Sequence, residues 1–475
     1  MYNFDVLSKW ASEKPDEIAF ADEMHEITFA QLNIHVRKTA NVLAQSGISR
    51  GDFVCTVLPS YFGWVFTLAL HLLGTTTITR NKITPFDYEL MPKWIIAHRL
   101  HPQIPADRTV IFNQELFERI INSPEILVAP GYKNPADPAR VFSTSGTSGL
   151  SKNIMLTIEE LGALPLQSSS YDFVGQDHVM SLYPFGARQS YRRALKCLTV
   201  GKAFYACAAS DYRLMDFLRK YPIRTLLGSP IQVSELLDIQ QQTGSELTEL
   251  ATIILGGTKP SRQLIDRIGK QLGSRVYDAY GSTEGSYVAM RDVTTDFPEG
   301  STINPEVTVE IVDEGNVPLE NNAIGRVRYK RPGMATKYYK NPKASAEFFQ
   351  EGFFYPGDLG FINAQGQLVL AGRANEVINL GGVKINPEKV EEVALAQLGV
   401  SDCACYSVIG VAGVEELAIA LVTDEDFDLE IFKKTMAKKS LSLPSQFIQV
   451  DAIPRNENGK ILRSQLSSAT PRSQG

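Results

Sequence analysis

The sequence predicts an α/β protein: a large N-terminal domain of parallel-type α/β subdomains plus a small β-barrel, followed by a small mobile α+β C-terminal domain. Three observations carry that expectation. Strand and helix patterns alternate up to residue 272, short strands between Gly/Pro/Asn turns follow from about residue 300, and a compact mixed segment follows Arg373. Alternation of this kind argues for a parallel sheet covered on both faces. At 475 residues the chain exceeds what one core fills, so two or three domains are expected.

The elements follow in order. Thr28 caps a helical pattern running to Leu43, since a threonine oxygen accepts an otherwise orphaned N–H. Gly51-Asp52 turns the chain into a strand over 53–58, followed by a helix over 61–73 and a strand over 75–79. The alternation recurs at 178–183, 190–207, 212–220, 223–228, 251–255 and 261–272. Strands at 307–312, 325–329 and 367–372 predict the antiparallel barrel. The C-terminal segment reads helix 387–398, strands 405–411 and 416–422, helix 428–438 and strand 446–450. The polar tail from Ser467 is expected to be disordered.

A formal charge of −6 gives no footprint for nucleic acid or an anionic membrane. The most apolar stretch, Trp64 to Gly74, is too short to span a bilayer, and the amino terminus carries no basic leader. Cysteines at 55, 197, 207, 403 and 405 lack framework spacing and fit a reducing cytoplasm. Cys403 and Cys405 read as one face of a core strand; a metal site would need further ligands.

Chemistry concentrates at residues 143–153, Ser-Thr-Ser-Gly-Thr-Ser-Gly-Leu-Ser-Lys-Asn, between apolar runs at 139–142 and 154–156. Gly146 and Gly149 let backbone N–H groups close on an anion. Thr144, Ser145, Thr147 and Ser148 add neutral donors, and Lys152 adds a cation. Such a loop suits a polyphosphate. It is not a Walker A loop, because Ser151 precedes Lys152 and Asn153 follows it. No G-x-G-x-x-G follows an early strand, so a dinucleotide fold lacks support. Taken alone, the loop also reads as a solvated Ser/Gly linker.

Four further segments follow. Asp278-Ala279-Tyr280-Gly281-Ser282-Thr283-Glu284 puts an aromatic, a glycine, hydroxyls and a carboxylate after a strand. Phe354 to Asp358 puts a carboxylate in a turn. Gly372-Arg373-Ala374-Asn375-Glu376 precedes Gly381-Gly382, and Pro454 to Arg463 presents Lys460. Singly, each has a plain structural explanation: a surface carboxylate, a turn former, an interdomain ion pair, a solvated lysine. Together and in this order, they resemble the adenylate-forming superfamily of acyl- and aryl-CoA ligases, peptide-synthetase adenylation domains and luciferase, across essentially the whole chain.

The resemblance implies that ATP, with Mg2+, activates a carboxylic acid as acyl-AMP and releases pyrophosphate by in-line attack on the α-phosphorus. It implies an AMP-binding domain over 1–373, its barrel at about 300–372, and a lid over 374–475 that turns at a hinge near Asn375. By the same resemblance, Thr144, Ser145, Gly146, Thr147, Ser148, Gly149 and Lys152 hold the β- and γ-phosphates. Thr283 meets the α-phosphate and Glu284 the metal. Tyr280 stacks on adenine, with Asp278, Ala279, Gly281 and the turn Gly256-Gly257-Thr258 around it. Asp358, beside Arg373, accepts the ribose hydroxyls, and Lys460 touches carboxylate and α-phosphate together. Gly381 and Gly382 leave room for a pantetheine arm. The chain departs from the common pattern at Ser148, Ser151, Asn153, Asp278 and Asn375, with no essential charge lost.

Phe185, Gly186, Arg188 and Gly281 are the candidate substrate residues. Gly186 stands where amino-acid-selecting relatives carry aspartate and many CoA ligases carry histidine. An α-ammonium group would lack a counter-ion there, which leaves a small aryl or short-to-medium acyl acid. Arg188 is read two ways: as the partner of a polar group or second carboxylate on the substrate, or as a snorkelling surface arginine alongside Arg192 and Arg193. The acceptor reads as CoA first, with the phosphopantetheine of a separate carrier protein or an amine as alternatives. An inactive nucleotide-binding relative is the reading of a different class.

Overall fold

The computed structural model describes residues 4–80, 90–100, 104–126, 129–143, 152–163, 178–207, 211–296, 298–374, 378–380, 383–409, 415–439, 442–455, 461–463 and 465–466. Two sheets dominate the first 300 residues. The larger has nine strands. From one edge they are Thr302–Ile303, Ser286–Asp292, Arg275–Ser282, Thr252–Gly256 and Ile223–Gly228, then His178–Ser181, Phe204–Ala206, Ile18–Ala21 and Glu26–Thr28. The six strands from Arg275–Ser282 to Ile18–Ala21 pair in parallel, and antiparallel strands close both edges. The second sheet runs Thr109–Ile111, Trp94–Ala97, Phe53–Val57, Thr76–Thr79, Pro138–Ser143 and Asn153–Thr157, and only its last pair is antiparallel.

Local chemistry explains the elements. Thr28 and Gln31 exchange side-chain and backbone bonds in a capping box that starts the helix Phe29–Gln45. The helix Ser60–Leu72 is apolar nearly all round, and it is buried nearly all round. One continuous apolar cluster joins both sheets to the later strands through Phe20, Val54, Trp64, Phe142, Phe204 and Tyr329. The segment 190–207 resolves into the helix Arg188–Val200 and the strand Phe204–Ala206, broken where Gly201 adopts φ 65°.

A six-stranded antiparallel sheet takes the place foreseen for the barrel. It contains Thr308–Val312, Gly325–Lys330, Phe349–Gln350, Phe353–Phe354, Asp358–Ile362 and Leu368–Arg373. The C-terminal unit has its own core. Val390, Cys405, Ile419 and Phe432 join the helices Pro387–Leu395 and Leu429–Lys438 to the sheet of Val400–Ile409, Glu415–Thr423 and Gln446–Gln449. Its first strand begins at Val400 rather than 405, so Cys403 and Cys405 lie well inside it. Both are buried, and burial pushes both thiols up. Asn386 caps the first helix through Glu388 N (3.0 Å) and also donates to Ala371 O (2.7 Å), across from the last strand of the preceding sheet. Arg463 grips both oxygens of buried Glu391 at 2.7 and 3.0 Å. No helix among the described residues is long and apolar enough to cross a membrane.

His71 lies wholly inside, its Nε2 2.9 Å from Thr77 Oγ1, and Arg140 Nη1 donates to the same hydroxyl at 3.1 Å. Burial, helped by the Arg140 charge, draws the His71 pKa from 6.5 down to about 3. The unfolded chain therefore takes up a proton below about pH 6.5 that the folded chain refuses. Stability is complete above that pH and falls as pH drops, by roughly 1.4 kcal/mol per unit for this one group. Melting curves should show it: between pH 6.5 and 5 the melting temperature of His71→Gln should decline less steeply than that of the native protein.

Candidate active site

Parallel strands deliver their carboxyl ends to one edge, the edge at which open α/β sheets bind ligands. His178–Ser181 leads to Tyr183, Phe185, Gly186 and Arg188; Thr252–Gly256 leads to Gly257 and Thr258; Arg275–Ser282 leads to Thr283 and Glu284. The second sheet meets this edge at Thr79, the end of its own strand. A Cβ on Gly186 would lie 2.7 Å from Thr79 O, so a side chain has no room there. Phe185 is core: it packs against Trp64 and Tyr191.

The turn holding Thr283 and Glu284 joins Arg275–Ser282 to Ser286–Asp292. It is drawn tight by backbone contact, for a Cβ on Gly281 would sit 2.2 Å from Ser286 O. Ser282 Oγ accepts from the N–H groups of Glu284 (3.0 Å) and Gly285 (3.1 Å) and pairs with Tyr329 OH at 2.8 Å. Glu284 is thereby held at 7% exposure, with Tyr338 OH donating to its Oε1 at 2.6 Å. Burial and the Glu284 charge push the Tyr338 hydroxyl far above its ordinary pKa.

Lys152 closes the other side. Its Nζ lies 3.4 Å from the centre of the Phe348 ring and 5.3 Å from that of Tyr338. Partial burial lowers its pKa, against the pull of Glu347 and Glu284. Beside it, Asn153 accepts from Ser143 Oγ at 2.8 Å, and its backbone carbonyl accepts from Tyr339 N at 2.6 Å. The departure at Asn153 thus ties together the two strands that flank the hydroxyl-rich loop.

Arg188 is not a surface arginine. It is 5% exposed, and its Nη1 donates to the carbonyls of Thr283 and Glu284, the latter at 2.9 Å.

A second group lies at the strand ends. Tyr280 OH donates to Asp358 Oδ2 at 2.5 Å, and Arg373 Nε reaches Asp358 Oδ1 at 3.1 Å. Both carboxylate oxygens therefore have protein partners, and burial with the Asp358 charge holds the Tyr280 hydroxyl well above its usual range. Tyr183 OH donates to Gly256 O at 2.9 Å. Ala279 is the register partner of Gly256. Asp278 pairs with Arg291, directly opposite on the neighbouring strand, at 2.7 and 2.9 Å. Burial pushes the Asp278 carboxyl up and Arg291 opposes it.

Lys152, Thr283, Glu284 and Arg188 are thus brought together, as are Tyr280, Asp358 and Arg373. Thr144, Ser145, Gly146, Thr147, Ser148, Gly149, Asn375, Gly381, Gly382 and Lys460 lie outside the described residues. Flanking Lys460, Arg455 and Ile461 pair in an antiparallel bridge, and Arg455 is held by Asp402 at 2.7 Å. Sequence reasoning missed Tyr183, Tyr329, Tyr338, Phe348 and Arg291. Only Arg291 carried a signal, as a cation one strand away from an aspartate that stands in an asparagine's place.

A family model described as AMP-binding enzyme matches residues 7–86 and 95–339. The 4-chlorobenzoate–CoA ligase of Arthrobacter sp is 23% identical over 504 residues, covering 98% of this chain and 94% of that protein. The anthranilate CoA ligase AuaEII, solved with anthranoyl-AMP, superposes with a TM-score of 0.85 at 18% identity, over 99% of this chain and 97% of that one. The o-succinylbenzoate coenzyme A synthetase of Bacillus subtilis, solved with ATP and magnesium ion, gives 0.81 at 20% identity, over 98% and 99%. With parallel strands ending at one edge, the Tyr-Gly-Ser-Thr-Glu turn seated there and a family match over most of its length, this chain belongs to the AMP-binding enzymes of the adenylate-forming superfamily.

Proposed function

We propose that the protein activates a small aryl or short-to-medium acyl acid with ATP to an acyl-AMP and passes the acyl group to a thiol, that of CoA. The observation that carries this reading is the convergence of Lys152, Thr283 and Glu284 at the strand ends, beside the Tyr280–Asp358 pair. A carboxylate is a poor acyl donor. Its oxygen attacks the α-phosphorus, the bond to the β-phosphate oxygen breaks, and pyrophosphate departs with the charge. Lys152, released from the Phe348 ring, meets the outer phosphates, while Thr283 lies against the α-phosphate. Tyr280, fixed by its hydroxyl, keeps a ring face for adenine, and Asp358 exchanges protein partners for ribose hydroxyls.

Glu284 suits Mg2+: Tyr338 occupies one oxygen, the carboxylate makes no other side-chain hydrogen bond among the described residues, and such an oxygen would hold a hard cation. When bound, the ion shields phosphate charge. The lid over 374–475, turning near Asn375, brings Lys460 to the carboxylate and α-phosphate for the first step. It then presents Gly381 and Gly382 to the pantetheine arm, whose thiol attacks the carbonyl as its proton is lost and AMP leaves.

Acid-dependent exchange of labelled pyrophosphate into ATP tests the reading, and release of ADP instead would end it. Repeating the second step with CoA, a phosphopantetheinylated carrier and an amine identifies the acceptor. Lys460→Ala should lower exchange by about 10²–10³-fold yet leave thioester formation from supplied acyl-AMP largely intact. Glu284→Gln should move the magnesium dependence of exchange upward by roughly tenfold or more. Gly186→Ala forces a Cβ against Thr79 O and should cost about 1–3 kcal/mol of stability in denaturant titration.

A further inference from the structure

Arg188 opens the helix Arg188–Val200, the unfavourable end for a cation because the helix dipole is itself positive there. No side chain caps that end; its N-cap is Ala187. The guanidinium is nonetheless withdrawn from water. Nη1 is spent on the carbonyls of Thr283 and Glu284, but Nε and Nη2 are buried without a hydrogen-bond partner among the described residues. Burial draws the pKa down to about 10, with Glu284 pulling the other way, so the group is still a cation at neutral pH. The neighbouring Arg331 is engaged by Glu306 at 2.9 Å and by the Tyr287 carbonyl at 3.0 Å, and Lys152 faces Phe348. Of Arg188, Arg331 and Lys152, Arg188 is the one that leaves two adjacent donors, Nε and Nη2, unmatched among the described residues, whereas Arg331 leaves Nε.

Buried donors on a charged group are rarely left unmatched, because the desolvation cost then stands uncompensated. Nε and Nη2 form one side of the planar guanidinium, the fork that takes both oxygens of a carboxylate in parallel bonds. Uncapped N–H groups at the same helix end also favour an anion.

We propose that Arg188 receives a second carboxylate of the acid substrate, so that the enzyme activates a dicarboxylic acid at its other carboxyl group. This rests on the acid-activation reading above and adds to it the class of acid. The reacting carboxylate stays free to attack phosphorus, while the second is held by a cation that takes no part in the phosphoryl step.

Pyrophosphate exchange with pairs of acids that differ in carrying a second carboxylate tests this: hexanoate against glutarate, benzoate against phthalate, phenylacetate against homophthalate. The native enzyme should favour the diacid of at least one pair by about 100-fold or more in kcat/KM. Arg188→Met should lower the diacid-over-monoacid ratio of kcat/KM by about 30-fold or more, and Arg188→Lys should restore part of it. Equal use of both acids in every pair overturns the inference. So does a loss in Arg188→Met that falls equally on both acids, which assigns the edge to the reacting carboxylate, or one that appears as a raised KM for ATP, which assigns it to the triphosphate. Should the variants not fold, the native preference decides alone. Exchange with monoacids only removes this inference and spares acid activation; exchange with no acid removes both.

Discussion

Glu284 is a carboxylate held almost out of water, and its surroundings follow from that burial. An ionised carboxylate survives inside a protein only with donors and cations around it. Here Tyr338 donates to one oxygen, while Lys152 and Arg188 contribute positive charge nearby. The turn that carries it is narrow enough for backbone to touch backbone at Gly281 and Ser286, and Ser282 pins it from within. Geometry at the candidate site is therefore set by a short stretch with few ways to move.

That rigidity comes from the sheets. Parallel strands end at one edge, and the strand ending at Thr79 brings the second sheet up against Gly186. Glycine at position 186 is matched by this close approach, which leaves no room for a side chain there. Asp278 and Asn153, two other departures from the common pattern, are also paired: one with Arg291, one with Ser143. The sequence differs from its relatives in ways that its own neighbours accommodate.

Much of this was legible before the structure. Strand–helix alternation announced the parallel sheets, and helices over 212–220 and 428–438 lie within a residue of their observed bounds, since their apolar spacing and caps are local signals. The Tyr-Gly-Ser-Thr-Glu segment was legible for the same reason. Tyr338 and Phe348 were not: each is an ordinary aromatic in sequence, and only tertiary packing aims them at Glu284 and Lys152. Arg188 was ambiguous because a helix bearing Arg192 and Arg193 reads as solvated, and the direction of one side chain is decided by the turn it faces.

Asn386 has a wider bearing. One amide both starts the first helix of the C-terminal unit and holds that unit to Ala371. Its two functions use different atoms, Oδ1 inward and Nδ2 outward. Swinging the unit away would therefore break the outward bond while the helix kept its cap. An aspartate there would keep the helix cap and lose the bond to Ala371, loosening the docking of the small unit, which Lys259–Glu392 and Gln263–Gln397 would still share, by the change of a single atom type.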